Sequence, residues 1–167
     1  MTGTSYTIGN LIELAIALER SNEAYYRGLR EKFLHSPEVA EFWQAYAAEE
    51  DGHARWLEQL KERVKAKLST RLEHPHLVDA AQKLLEITPG EHLGRVSTLE
   101  EGYQLAVELE NSETNTIFEF LILNYSLTAQ AANFLQAQLH SHIKRLMDEF
   151  PPDFRSRARR LAVRARE

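Results

Sequence analysis

Apolar residues recur at intervals of three and four along most of the chain, and Gly and Pro are scarce inside the segments where they do so. This is the period of an amphipathic α-helix. The pattern predicts four long helices, and a further short helix near residues 77–87. The four long helices are predicted over 7–33, 37–68, 99–124 and 126–149. We therefore predict an all-α fold.

Several local signals mark where these helices begin and end. Ser36 followed by Pro37 is typical of a helix start, because Ser caps free backbone N–H groups and Pro fits the first turn. Thr98 and Glu101 have the spacing of a capping box at the start of the third long helix. The Pro-Pro-Asp sequence at 151–153 interrupts the chain after the fourth long helix.

The connections between the predicted helices differ greatly in length. The first and second helices, and the third and fourth, are joined by short turns, whereas a long crossover joins the second to the third. This order is typical of the ferritin-like four-helix bundle. We predict a bundle domain over residues 1–150 and a short Arg-rich C-terminal helix over 151–167.

The composition restricts the chemistry of any site. The chain has 167 residues, 43% of them hydrophobic and 27% charged, which is typical of a globular domain. Because there is no Cys, any metal must be bound by His, carboxylate or other oxygen ligands. No apolar run approaches the roughly 18 residues of a membrane span, and the N-terminus lacks a signal-peptide pattern. We expect a cytoplasmic protein that does not bind membranes.

Each predicted long helix carries ionisable residues on its apolar stripe near mid-length. In the second helix, Glu50 and His53 share a stripe with Trp43, Tyr46 and Leu57. A buried carboxylate costs several kcal/mol unless it is paired or bound to a metal. The inward-facing set across the four helices is Glu19, Glu50, His53, Glu110, Glu113 and His142.

Four carboxylates and two imidazoles suit a pair of divalent cations such as iron, manganese or zinc. Taken singly, each motif has an ordinary alternative. A Glu-x-x-His pair is common on helices. A Glu-x-x-Glu pair such as Glu110 and Glu113 more often lies on a solvated face, and one inward Glu can pair with an inward Arg. The helices present no obvious inward Lys or Arg that would neutralise all four carboxylates. The combination therefore predicts a metal site.

The same segments resemble the rubrerythrin family of the ferritin-like superfamily. "AIALERSNEAYY" resembles its first helix, "AAEEDGHARWL" its Glu-x-x-His helix, "AVELENSE" its third helix and "HIKRL" the His-containing end of its fourth. The resemblance covers residues from about 8 to 149. It implies a di-iron centre whose ligands are the six inward-facing residues above. It also implies that Tyr26 belongs to the catalytic centre, as a hydrogen-bond donor to a ligand carboxylate.

The chain departs from the family pattern in two respects. The fourth helix should carry a Glu three residues before His142, and this chain has Leu139. Either Glu113 supplies the missing carboxylate, or Gln138 contributes weakly, or one metal position is impaired. The Cys-ligated rubredoxin module of the family is absent, because the sequence has no Cys. Electrons would then come from an external donor protein.

Three functions are consistent with the sequence. The first is a di-iron oxidoreductase that reduces peroxide or oxidises Fe(II), with two iron ions, a small oxidant and an external electron donor. The second is a non-redox bundle with one or two zinc or manganese ions, which Leu139 favours. The third is a metal-free interaction module that uses the Arg-rich C-terminal helix. We expect a homodimer, and no nucleic-acid partner, because the rest of the chain is acidic and repels phosphate.

Overall fold

The computed structural model describes residues 5–151, apart from the side chains of Glu113 and Ile143; the predicted Arg-rich helix lies almost entirely outside the described residues. Within that range the chain forms seven α-helices and no β-strand, so the all-α prediction is confirmed. The helices are α1 Ile8–Lys32, α2 Pro37–Arg63, α3 His76–Leu85, α4 Pro89–Gly94, α5 Leu99–Glu110, α6 Glu113–Tyr125 and α7 Ala129–Glu149.

Side-chain caps fix several of these helix starts. The Thr98 hydroxyl accepts the backbone N–H of Glu101, and the Glu101 carboxylate accepts the Thr98 N–H, which confirms the predicted capping box. Thr7 caps α1 in the same reciprocal way with Asn10. Ser36 precedes α2 as predicted, but its side chain makes no capping hydrogen bond, so Pro37 in the first turn is the remaining start signal.

The third predicted helix is wrong as a continuous element, because the chain leaves the helix at Asn111 and Ser112. The Asn111 amide donates to the carbonyl of Val107, and the Ser112 hydroxyl accepts the backbone N–H of Thr114 to cap α6. Such short polar side chains compete with the helical backbone for hydrogen bonds. The break therefore follows from two adjacent residues that each favour a cap.

This break alters the relation between Glu110 and Glu113. Glu110 is the last residue of α5 and Glu113 is the first of α6, so the two do not stand three apart on one continuous helix. The predicted i, i+3 ligand pair is therefore wrong as a helical pair. The side chain of Glu113 lies outside the described residues.

Three other predicted boundaries differ from the structure. The second long helix ends at Arg63 rather than 68, and a short 3₁₀ helix follows at Lys65–Lys67. The crossover contains two helices, α3 and α4, where one was predicted. The last long helix begins at Ala129, three residues later than predicted, because Thr128 caps it.

Two apolar clusters form the core, and the charged residues lie between them along the helices. The first cluster includes Leu11 of α1 and Leu57 of α2. The second includes Leu29 of α1 and Trp43 of α2. The middle of α1 and the middle of α2 thus lie between the two clusters, inside the bundle. No helix in the described part of the chain is long and apolar enough to cross a membrane.

Candidate metal centre

Five of the six residues predicted from the apolar stripes are brought together in the bundle interior. They come from four different helices, and each is at most 4% exposed. They are Glu19 of α1, Glu50 and His53 of α2, Glu110 of α5 and His142 of α7. Two overlapping groups of three have potential ligand atoms within 4.8 Å of one another.

The first group consists of Glu19, Glu50 and His53. The Nδ1 atom of His53 lies 3.4 Å from Oε2 of Glu19 and 3.6 Å from Oε2 of Glu50. Neither His53 ring nitrogen has a hydrogen-bond partner within the described residues. Buried polar atoms without a hydrogen-bond partner are rare. Here they stand next to two carboxylates, an arrangement that residues converging on one cation would have.

The second group consists of Glu50, Glu110 and His142. The Nδ1 atom of His142 lies 3.0 Å from Oε2 of Glu110 and 3.8 Å from Oε1 of Glu50. The imidazole rings of His53 and His142 are stacked, with centroids 5.4 Å apart. Glu50 belongs to both groups and presents a different oxygen to each, which is the geometry of a carboxylate that bridges two cations.

Protonation is strongly perturbed among these residues. Burial, followed by the charge of Glu19, raises the pKa of Glu50 well above its ordinary value. Burial alone would lower the pKa of His53, but the carboxylates of Glu19 and Glu50 raise it to about 11. Burial alone would also lower the pKa of His142, but Glu110 and Glu49 raise it to about 10. Without a cation, the proton on Glu50 and the protonated His53 and His142 rings balance the charge of the centre, while His142 helps to lower the pKa of Glu110.

The donor set fits a metal pair. Among the described residues, no Lys or Arg forms an ion pair with Glu19, Glu50 or Glu110. Carboxylate oxygens and imidazole nitrogens are ligands of iron, manganese and zinc. A divalent cation would displace the protons that now hold these groups together, as metal binding does at other His and carboxylate sites.

The carboxylate of Glu110 is held in place by neighbouring donors. The Tyr26 hydroxyl donates to Oε1 of Glu110 at 2.6 Å, and the Asn115 amide donates to Oε2 at 3.4 Å. Tyr26 is fully buried and stacks on Trp43. Burial and the charge of Glu110 raise the Tyr26 pKa well above its ordinary value, so the phenol stays a neutral donor. The structure thus gives Tyr26 the hydrogen bond that the sequence predicted.

Sequence reasoning missed Glu49. Its Oε2 lies 2.7 Å from Nε2 of His142, and its other oxygen forms an ion pair with Arg145. Burial opposes ionisation of Glu49, but His142 and Arg145 lower its pKa to about 2. A carboxylate on the second ring nitrogen fixes the orientation of a ligand His. The Glu49–Glu50 doublet is visible in the sequence, but its contact with α7 depends on how the two helices are rotated.

The position where a further carboxylate was expected is apolar. Leu139 is 5% exposed and belongs to the core cluster that contains Phe118. Gln138 lines a recess between α2 and α7. Leu139 therefore offers no ligand, and the three alternatives stated for the missing carboxylate stay open.

Comparison with known proteins gives a family match. Residues 10–126 match the family model described as Rubrerythrin, a match that covers most of the chain and ends before α7. No curated protein and no solved structure matches the chain significantly. The match spans the helices that carry Glu19, Glu50, His53 and Glu110, whereas His142 lies beyond it. The bundle is ferritin-like, and the chain belongs to the rubrerythrin family.

Proposed function

We propose that the chain is a di-iron carboxylate oxidoreductase that either reduces peroxide with electrons from an external donor or oxidises Fe(II) with peroxide or O2 as the electron acceptor. The observation that carries this proposal is Glu50, which is shared by two buried groups, each with its own His and its own second carboxylate. Two iron ions bound there would supply a pair of redox centres able to act together on one oxygen species.

The residues around the two groups have separate tasks in this proposal. Glu19, Glu50, Glu110, His53 and His142 bind the cations. The apolar clusters on either side exclude bulk water, which strengthens electrostatic interactions inside the centre.

Other side chains position the ligands and hold protons. Tyr26 donates to Glu110 and so fixes which oxygen of that carboxylate is free to bind. Glu49 accepts a hydrogen bond from Nε2–H of His142, which leaves Nδ1 directed at Glu50 and Glu110. Because the Tyr26 pKa is raised, the phenol keeps its proton while it supports the carboxylate.

A second candidate is a non-redox zinc site, and Leu139 is the observation that favours it. With an apolar side chain where the family pattern has Glu, the centre has one carboxylate fewer for charge balance. A single zinc ion needs only about four ligands, which either group approaches with help from water.

Metal analysis followed by oxidation kinetics tests both candidates. Protein purified from iron-supplemented cells should contain about two metal ions per chain, and its iron-dependent absorbance should change rapidly on addition of peroxide to the reduced form. Less than one metal ion per chain would contradict the di-iron proposal. Bound metal without any response to peroxide would support the zinc alternative.

A matched pair of His variants on α7 provides the control. His142→Gln removes a buried residue of the centre, whereas His140→Gln changes an exposed His two positions away on the same helix. We expect the first variant to lose metal and the second to retain the wild-type content. Equal metal loss in both would indicate that general destabilisation, rather than ligation, is responsible.

A further inference from the structure

The contact between α2 and α7 changes along its length. At one end the Tyr46 hydroxyl donates to the His142 carbonyl at 2.7 Å, and Phe42 packs edge-on against Phe150. Farther along α2, the two helices leave a recess of about 490 Å³ between them. The metal centre lies where the packed part of this contact ends and the recess begins.

His53 lies at the inner end of this recess, and small or apolar side chains form its walls. Gly52 and Trp56 contribute from α2, and Ala131 and Phe134 from α7. His53 is only 2% exposed, and both of its ring nitrogens lack a hydrogen-bond partner within the described residues. Phe134 is 63% exposed. The recess therefore connects solvent to a residue of the centre that is otherwise enclosed.

Gly52 forms part of the α2 wall of the recess. A Cβ at this position would have no heavy atom within 4 Å, so close packing does not require glycine. Gly28 of α1 is different, because a Cβ there would lie 2.2 Å from a methyl group of Leu93. Glycine inside a helix costs about 1 kcal/mol relative to alanine. Packing does not explain why α2 bears this helix-propensity cost at Gly52. The space that a side chain would occupy there is part of the recess that His53 also lines.

The position of the recess matters more than its size. A larger cavity of about 660 Å³ lies beside α1, α3 and α5, and its walls include none of the five buried residues of the centre. The smaller recess is lined by both His53 and Glu49. Glu49 in turn contacts His142, so the recess reaches His53 of the first group and a hydrogen-bond partner of His142 in the second.

We propose that this recess is the route by which metal ions and a small oxidant reach the centre, with Gly52 of α2 and Ala131 of α7 in its walls. This inference rests on the proposed metal centre, since an access route needs a site to serve. The walls are mainly apolar near Trp56 and Phe134, and Arg55 also lines the recess, where its exposed side chain pairs with Asp51. Of the described residues that line the recess, Glu49 alone carries a carboxylate, so no other acidic side chain would hold a cation before it reaches the centre.

The rate of zinc uptake by the metal-free protein tests the route without any redox chemistry. Uptake is followed by stopped flow with a fluorescent zinc indicator, and the final zinc content is measured separately. Gly52→Phe and Ala131→Phe fill the recess from opposite walls. We expect both to slow uptake by about tenfold or more, as obstruction of a gating step does, while the zinc content at equilibrium stays that of the wild type.

Three further variants serve as controls. Gly52→Ala adds a methyl group to open space and should keep the wild-type rate. Ala80→Phe adds the same ring to the larger, separate cavity and should also keep it. Phe134→Ala widens the recess without adding volume and should accelerate uptake, which provides a test that does not depend on tolerance of an inserted ring.

The outcomes separate this inference from the proposed function. If natively helical Phe variants take up zinc at the wild-type rate, or if Phe134→Ala does not accelerate uptake, the inference is overturned while the metal centre stands. Slowing by Ala80→Phe equal to that by Gly52→Phe would also overturn it. A wild-type protein that binds no zinc or iron at equilibrium would contradict the proposed function itself.

Discussion

The hydrogen bond from Tyr26 to Glu110 allows a quantitative test of the centre's electrostatics. Tyr26→Phe removes the hydroxyl but keeps the ring, which stacks on Trp43 with centroids 5.7 Å apart. The hydroxyl lies 2.6 Å from the carboxylate, and both residues are buried. The substitution therefore leaves packing in place and removes one donor from a buried charge.

The expected loss follows from the charge of the acceptor. A hydrogen bond to a charged group contributes about 1.5–3 kcal/mol, whereas one between neutral groups contributes about 0.5–1.5 kcal/mol. Glu110 retains its contacts with His142 and Asn115 in the variant. We expect metal-free Tyr26→Phe to lose about 1.5–3 kcal/mol of unfolding free energy. For a chain of this size that lowers the Tm by about 3–12 °C.

Tyr25→Phe is the matched control. The Tyr25 hydroxyl is also buried, but it donates to the neutral carbonyl of Gly102 at 3.2 Å. Urea denaturation of both metal-free variants, followed by circular dichroism, compares the two losses directly. Equal losses would refute the argument that the charge of Glu110 makes its hydrogen bond the stronger one. In a Glu110→Gln background, the effect of Tyr26→Phe should fall to that of Tyr25→Phe.

Three further predictions concern the core and the buried charges. Glu50→Gln removes a carboxylate that burial and Glu19 already disfavour, so urea denaturation should show no loss of metal-free stability while elemental analysis shows less bound metal. Leu139→Ala should cost about 2–5 kcal/mol in the same assay, as truncation of a core Leu does, and leave metal content unchanged. In metal-free protein, protonated His53 and His142 should stabilise the fold fully below about pH 6.5. This stabilisation should be lost as the pH rises towards their folded pKa values of about 10 to 11. Unfolding free energies measured at pH 6, 8 and 10 that do not decline would contradict the prediction.

The inward position of the candidate ligands was predictable because a helix assigns faces by period. Glu50 and His53 fall on the stripe of Trp43 and Leu57, and the structure buries all four. The same period puts His140, two positions before His142, on the polar face of its helix, and its side chain is exposed. Local sequence is sufficient for such assignments, because they depend on one helix at a time. The role of these residues as metal ligands stays a prediction.

Features that depend on competition or on helix rotation were not predictable. The break at Asn111 and Ser112 arises because side-chain caps replace helical hydrogen bonds. Because the apolar period continues on both sides of the break, the pattern predicts one unbroken helix. The contact of Glu49 with His142 requires α2 and α7 to meet at a particular rotation. Neither a period nor a spacing within one helix contains that information.

The two groups of the centre are not equally supported. His142 is held at both ring nitrogens, by Glu110 at 3.0 Å and by Glu49 at 2.7 Å. His53 has no hydrogen bond at either nitrogen within the described residues, and the ring of Phe118 lies 4.8 Å away. Leu139, which stands where the family resemblance implies a carboxylate, belongs to the same apolar cluster as Phe118.

This asymmetry predicts the order in which the groups bind metal. A ligand whose second nitrogen is already oriented by a carboxylate needs less reorganisation, and loss of such support typically weakens metal affinity 10–100-fold. The His142 group should therefore bind the first ion, and it should keep that ion when the supply is limiting. In titrations with one equivalent of zinc, His53→Gln should bind nearly as the wild type does, whereas Glu49→Gln, which removes the support of His142, should bind about 10–100-fold more weakly. The reverse ranking would show that the support from Glu49 does not govern affinity.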